Sequence, residues 1–467
     1  MEIRNLGDAL HHILDAVGGP DPVRVARDLP SENHFAVGPR ARLPAKLGVA
    51  LSSLSPLPPG TAIMRLRALP AHFEGCLPRM SSQIVVIGGG VMGSALAYWL
   101  TRLEPKSAVT VVERDPSYSS ASSALSAASI RQQFSSPINV RISQASIAFL
   151  RNASVELSLD EERPDILLRE DGYLYLAGVD GAAHLRRTHS VHKACGSDVA
   201  LLDQAGLRQR FDWLTTADLA VGSLGLSGEG WFDGYALLTA FARKARRQGA
   251  RFVKGAVSAL QLEGKRVDAV ILSDGARIDC SHVINAAGPW ARRVAAMAGV
   301  ELPVFARRRT VYVIACPARM NPFPLTIDPT GFWIRPEGPK FIAGLAPEDD
   351  TDDQPLQPDY DAFETRLWPA LAHRIPAFET AKLERAWAGY FEMNTFDHNA
   401  ILGPHESVQN FFFMNGFSGH GMQQAPIVGR AIAELVLYGR FTTLDLSELS
   451  FARICHNRPL REANVIG

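Results

Sequence analysis

The sequence predicts an α/β chain: a Rossmann-like domain for a dinucleotide, interrupted by an inserted domain built on an antiparallel sheet. Three observations carry this. Residues 83–115 read as strand, glycine-rich turn, helix, strand and acid, in that order. A second glycine-rich turn, at 416–423, precedes a helix near the other end of the chain. Between them, residues 307–316 and 331–344 alternate like strands of a separate sheet.

The first stretch begins with Ile84-Val85-Val86-Ile87, an apolar run of strand length. Gly88, Gly90 and Gly93 follow in a G-x-G-x-x-G arrangement. Gly88 allows a sharp turn, Gly90 a close approach to a pyrophosphate, and Gly93 tight packing of helix on strand. The helix start offers free N–H groups and partial positive charge to phosphates. A second apolar run, 109–112, ends on Glu113, where a carboxylate can accept hydrogen bonds from a ribose diol. Residues 81–101 carry no charge, but their glycines and their division into strand and amphipathic helix speak against a membrane span.

Residues 117–129 are small and polar, suited to lying against something flat. A long helix is expected from Ile130-Arg131 through residue 150. Further strands are expected at 172–177, 251–257, 265–272, 282–287 and 411–415, and helices at 235–248, 363–374 and 426–437. The last of these has Pro426 in its first turn and Gly439 behind it. Residues 1–79 differ in character. A Pro-rich linker at 56–60 and scattered acids argue against a secretory signal or mitochondrial presequence, so a loose extension is expected, with the folded enzyme starting near Met80.

The charge balance, 48 basic against 48 acidic residues, leaves no field to attract nucleic acid. The five cysteines are scattered without a CxxC pair, which points to reduced thiols, and no metal-ligand spacing is present. A cytoplasmic location is expected, with mitochondria as the alternative.

The turn Gly416-Phe417-Ser418-Gly419-His420-Gly421-Met422-Gln423 aims a second helix start into the fold. Such an end stabilises negative charge. A reduced flavin carries that charge at the N1/O2 edge of its ring, and a nicotinamide does not. The pairing of the two turns therefore favours FAD over NAD.

The first fingerprint, VINAAGPW at 283–290, DHNAILGP at 397–404 and GFSGHGMQQAP at 416–426 together resemble the FAD-dependent D-amino-acid oxidase/sarcosine oxidase superfamily, whose FAD-binding domain is of glutathione-reductase type. VVERD, YSSASSALS, IRQQF, EGWFD and AWAGYFEMNTFD bring the chain nearest the branch called FAD-dependent oxidoreductase domain-containing protein 1, which is mitochondrial and linked to assembly of respiratory complex I. The resemblance begins near Gln83 and runs to the C-terminus. It implies FAD-binding parts at about 80–160, 230–300 and 385–445, and a substrate domain at about 165–229 and 301–384.

The resemblance also implies jobs for single residues. Gly88, Gly90 and Gly93 would hold the pyrophosphate, Glu113 the ribose and Val257 the adenine. Ala286, Ala287 and Gly288 would pack close to the cofactor. Ser122, Ser123 and the residues up to Arg131 would run beside the ring. Gly419, Gly421 and Met422 would meet its pyrimidine end, and Tyr390 and Asn394 would approach from the strand before Asp397. Tyr390 and Ser126 stand where relatives carry a flavin-linking Cys or His, so FAD is expected to be non-covalent.

Gln423 replaces a Lys that binds the substrate carboxylate in sarcosine oxidases, a loss of about 1.5–3 kcal/mol of charge-assisted bonding. Arg131, the run Arg307-Arg308-Arg309 and Arg335 are the candidates to make it up, and His420 is a candidate to polarise the flavin or the substrate. The expected reaction is oxidation of the CH–NH group of an amino acid or N-methylated amine, with Arg131, His420, Gln423 and Tyr390 at the chemistry. The alternative is an FAD-containing assembly factor with little turnover. The expected partners are the small amine or amino acid and an electron-transfer or respiratory-complex protein.

Overall fold

The computed structural model describes residues 83–464, so the extension expected at 1–79 lies outside the described residues. Gln83–Ile87 is central to a six-stranded sheet, with Ala108–Glu113 and His282–Asn285 parallel on either side. Arg251–Lys254 and Phe411–Asn415 extend it in parallel, and Ile401–Pro404 closes one edge antiparallel. The apolar run at its centre is continuous because both faces are covered. Ile84 and Val86 face a layer of helices, Val91–Leu103, Pro137–Arg151, Gly234–Arg247 and Gly421–Tyr438. Val85 and Ile87 face a three-stranded meander of Val257–Glu263, Arg266–Leu272 and Arg277–Asp279.

Helices Val91–Leu103 and Gly421–Tyr438 cross closely. A Cβ on Gly429 would lie 3.0 Å from the Ala95 carbonyl carbon. Trp99 Nε1 donates to the Pro426 carbonyl at 2.8 Å, which ties the pair further.

Three expected elements are corrected. The helix expected from Ile130 begins instead at Pro137. Proline disfavours helical geometry in the residue before it, and Ser136 is extended at φ −102°, ψ 125°. Arg131 therefore lies in an irregular segment after the short strand Ser129–Ile130. The strand expected over 251–257 breaks at Gly255-Ala256, and Val257 starts the meander instead. The last helix begins at Gly421, five residues before Pro426, which is thus internal. Gly439 caps it in left-handed geometry, φ 69°, as its position predicts.

The inserted sheet has eight strands: Lys382–Asn394, Val304–Ala315, Lys340–Gly344, Trp333–Glu337, Leu325–Ile327, Tyr173–Ala177, Val221–Gly225 and Val199–Leu202. It is mixed rather than purely antiparallel, because Leu325–Ile327 runs parallel to Tyr173–Ala177. Lys382–Asn394 pairs with Val304–Ala315 along nearly its whole length and carries the sheet past the boundary expected near 385. Its C-terminal half reaches the six-stranded sheet, which brings the two layers together over one cavity.

Candidate active site

The cavity, of about 400 Å3, lies within the range of small-molecule and cofactor sites. One end is the first glycine-rich turn. Gly88 has φ +103°, and a Cβ there would lie 2.3 Å from the Ala286 carbonyl oxygen. A Cβ on Gly93 would sit 1.9 Å from the Gly88 carbonyl oxygen. Gly93 is therefore a packing residue, and it does not line the cavity. Gly90 has open space apart from Ser123 Oγ at 3.2 Å. Glu113 accepts from Gly89 N at 2.7 Å and Asp115 N at 2.8 Å, so its carboxylate is fixed at the turn while keeping further lone pairs.

Ser123 Oγ accepts from Val91 N at 3.0 Å. Ser122 Oγ is buried and has no hydrogen-bond partner among the described residues. Val257, Ala286, Ala287 and Gly288 line the same end. Gly288 has φ +54° and nothing within 4 Å of an added Cβ, so conformation rather than crowding by protein requires glycine there.

The other end is the second turn. Gly419 has φ +86°, and a Cβ would come within 2.5 Å of the Phe391 ring. His420 precedes the helix that starts at Gly421, and Met422 and Gln423 lie in its first turn. Arg131 is 1% exposed. It donates to Gln133 O at 2.6 Å and Asn464 O at 2.5 Å, and its Nη2 lies 3.0 Å from His420 Nε2. No carboxylate forms an ion pair with it among the described residues. Burial, then the Arg131 charge, pushes the His420 pKa down, so this imidazole is neutral. Gln423 Oε1 accepts from the Arg131 backbone N–H at 3.0 Å, which leaves its Nε2 as a neutral donor.

Tyr390 lines the cavity and donates to Gln354 O at 2.5 Å. Asn394 is a correction. It is fully buried and bonded to Asp397 Oδ1 and Asn399 O, so it supports the turn rather than facing the cavity. Of the other arginines considered, Arg309 lines the cavity and pairs with Asp350, whereas Arg307, Arg308 and Arg335 do not line it.

Several lining residues escape a reading of local motifs. Arg114 stacks over Trp290, 3.4 Å from the ring centroid. Its place directly after Glu113 was an available signal. Glu392 accepts from Gly416 N at 3.1 Å, and burial pushes its carboxyl up to about 8. It lies inside the segment AWAGYFEMNTFD, but nothing in the local pattern marks it as facing the cavity.

The model of the family described as FAD dependent oxidoreductase (DAO) matches residues 83–435. The chain belongs to this family. As an FAD-dependent oxidoreductase it is 41% identical over 430 residues to the FAD-dependent oxidoreductase domain-containing protein 1 of Xenopus laevis, with 84% of this chain and 86% of that one covered. Among solved structures, the L-proline dehydrogenase of P. horikoshii matches with TM-score 0.73 and 26% identity, over 81% of this chain and 99% of that one. The glycine oxidase of Geobacillus kaustophilus has the same fold, with TM-score 0.69 at 24% identity, over 80% and 98%.

The residues present fit FAD. The glycine cradle, the unpartnered Ser122 hydroxyl and two helix starts on one cavity match a long anionic cofactor with a polar ring. The four described cysteines, Cys195, Cys280, Cys316 and Cys455, are free. Among the described residues no cluster suits a metal, and no helix is long and apolar enough to cross a membrane.

Proposed function

We propose that this oxidoreductase removes hydrogen from the carbon next to the nitrogen of an amino acid or N-methylated amine. The observation that carries this is one cavity joining the Gly88–Gly90 turn to the buried Arg131 and His420 beside the Gly421 helix start. FAD, when bound, supplies the hydride acceptor at its N5. Gly88 and Gly90 leave room for the pyrophosphate, Glu113 takes the adenosine ribose, and Val257 and the Arg114–Trp290 stack flank the adenine. The Gly421 helix start and Arg131 place positive charge at the pyrimidine end. His420, being neutral, orients rather than donates charge. Gln423 Nε2 and Tyr390 set the polar edges of the substrate space, and the eight-stranded sheet excludes water above it. The likeness to an L-proline dehydrogenase supports a substrate with an amine beside a C–H bond.

FAD is held without a covalent link, since Tyr390 and Ser126 supply neither thiol nor imidazole. Release of the flavin on denaturing precipitation is the expected result. The main test is an anaerobic screen of amino acids and N-methylated amines that follows bleaching of the oxidised flavin band. Bleaching by one class names the substrate. No bleaching, together with co-purification of respiratory subunits, would favour the second reading, a flavin-containing assembly factor, which the lack of a lysine at 423 also favours.

A further inference from the structure

The last described segment, residues 460–464, has no regular secondary structure, yet it is anchored like a core element. Six hydrogen bonds converge on the Glu462 carboxylate, from Ser135 N and Oγ, Ser136 N and Oγ, Asn139 Nδ2 and Asn464 N. Glu462 is 2% exposed. Burial alone would raise its pKa. The Ser135 bonds and the nearby Arg131 charge outweigh this and bring it down to about 2, so it is an anion. Leu460 N donates to Asp397 Oδ2, and Asn464 Nδ2 donates to Gln133 O at 3.0 Å. Asn464 Oδ1 lies 2.7 Å from His184 Nε2. This fixes the Asn464 carbonyl, which accepts from Arg131 Nη2 at 2.5 Å.

A guanidinium has only donors. At 3.0 Å from Arg131 Nη2, His420 Nε2 must therefore present its lone pair, which leaves the proton on Nδ1. Phe134 meets the His420 ring edge-on at 4.9 Å, which holds that orientation. We propose that the 460–464 segment is part of the active centre, with Glu462 and Asn464 as positioning residues that hold Arg131 against His420 and fix the neutral Nδ1–H form of His420. Glu462 also supplies negative charge close to the buried Arg131, as does the buried Glu229 carboxyl, which compensates a guanidinium that forms no ion pair among the described residues. The charged and titratable groups facing His420 are Arg131, which disfavours its protonation, Glu462, which favours it, and His398. The Asn464 carbonyl pulls in the same direction as Glu462, while Arg131 Nη2, which bonds that oxygen, also faces the His420 Nε2 lone pair.

This rests on the reading that Arg131 and His420 face the FAD ring, and the experiment separates the two. Imidazole 15N–1H correlation spectra of the full-length, FAD-loaded protein, with His420 assigned through H420Q, should show the Nδ1–H form with no titration near pH 6–7. In E462A the segment loses its anchor. Arg131 is then no longer held on the His420 Nε2 lone pair, so the Nε2–H form should appear in the spectra. A folded E462A with wild-type His420 signals overturns the proposal. If E462A does not fold, N464A removes only the two side-chain bonds and should show the Nε2–H form to a smaller extent; unchanged signals there overturn it equally. E462Q keeps the shape and drops the charge, so the FAD midpoint potential should rise. An unchanged potential in E462Q beside the Nε2–H form of His420 in E462A would leave the positioning role intact and overturn the placement of the ring beside Arg131.

Discussion

The two glycine-rich turns look alike in sequence and are built differently. At the first turn, Gly88 and Gly93 are demanded by the protein's own backbone, with carbonyl oxygens 2.3 and 1.9 Å from where a Cβ would be. At Gly416–Gly421 the crowding comes from side chains, the Phe391 ring at Gly419 and Phe417 and Met92 at Gly421. The first turn is surrounded by backbone donors and one half-buried acid, Glu113. The second is surrounded by titratable groups: the buried Arg131 and His420, the half-buried Glu392 and, one layer out, the buried Glu462. The first turn is a holder whose chemistry is geometric. The second is a place where charge is set, and its glycines mainly make room for that.

Substitutions should separate the two. The largest effect is expected for Gly93→Ala. Its Cβ would overlap a backbone oxygen that cannot swing away, so the protein should lose upwards of ~3 kcal/mol or fail to fold, as seen by calorimetry. Gly421→Ala meets only Phe417 Cβ at 3.3 Å and the end of Met92 at 3.4 Å, and should cost under ~1 kcal/mol. Equal losses at both sites would end the distinction. Next in size is Arg131→Met. Loss of a preorganised positive charge should slow anaerobic flavin reduction by about 10²-fold while FAD stays bound.

Glu392→Gln should show itself through pH. The folded carboxyl titrates at about 8, above its unfolded value, so unfolding releases a proton in between. The wild type should therefore lose stability as pH rises from the unfolded carboxylate range to about 8 and then level off. E392Q should lack that slope, and chemical denaturation across this pH range reads the difference. The smallest effect is expected at the holder. Arg114→Ala removes a cation–π stack worth about 0.5–1 kcal/mol and should weaken FAD binding a few-fold, measured by fluorescence titration.

The same contrast explains what could be read from sequence. The first turn, its strands and Glu113 form one local unit of strand, helix and strand, and local periodicity reveals all of it. The place of the second helix was also legible, although its start was set too late because Pro426 suggested a first turn, whereas the helix tolerates it internally. The helix expected from Ile130 failed for a related reason: apolar spacing continued through Arg131–Phe134, but Pro137 and the tertiary bonds of Arg131 held that stretch out of helix. Glu462 and Asn464 were not legible, since their partners at Arg131, Ser135, Ser136 and Asn139 lie more than three hundred residues earlier. A carboxylate near the C-terminus looks like solvated surface until the fold brings it to Ser135 and Ser136.

The close crossing at Gly429 and Ala95 has a consequence for cofactor choice. The helices that meet there are the two whose starts face the cavity, and the Trp99–Pro426 bond locks them side by side. They work as a gauge of fixed length. In the proposed pose the adenylate half of FAD reports to one jaw and the ring to the other, so FMN could engage only one at a time and would be rejected by its reach rather than by any single contact.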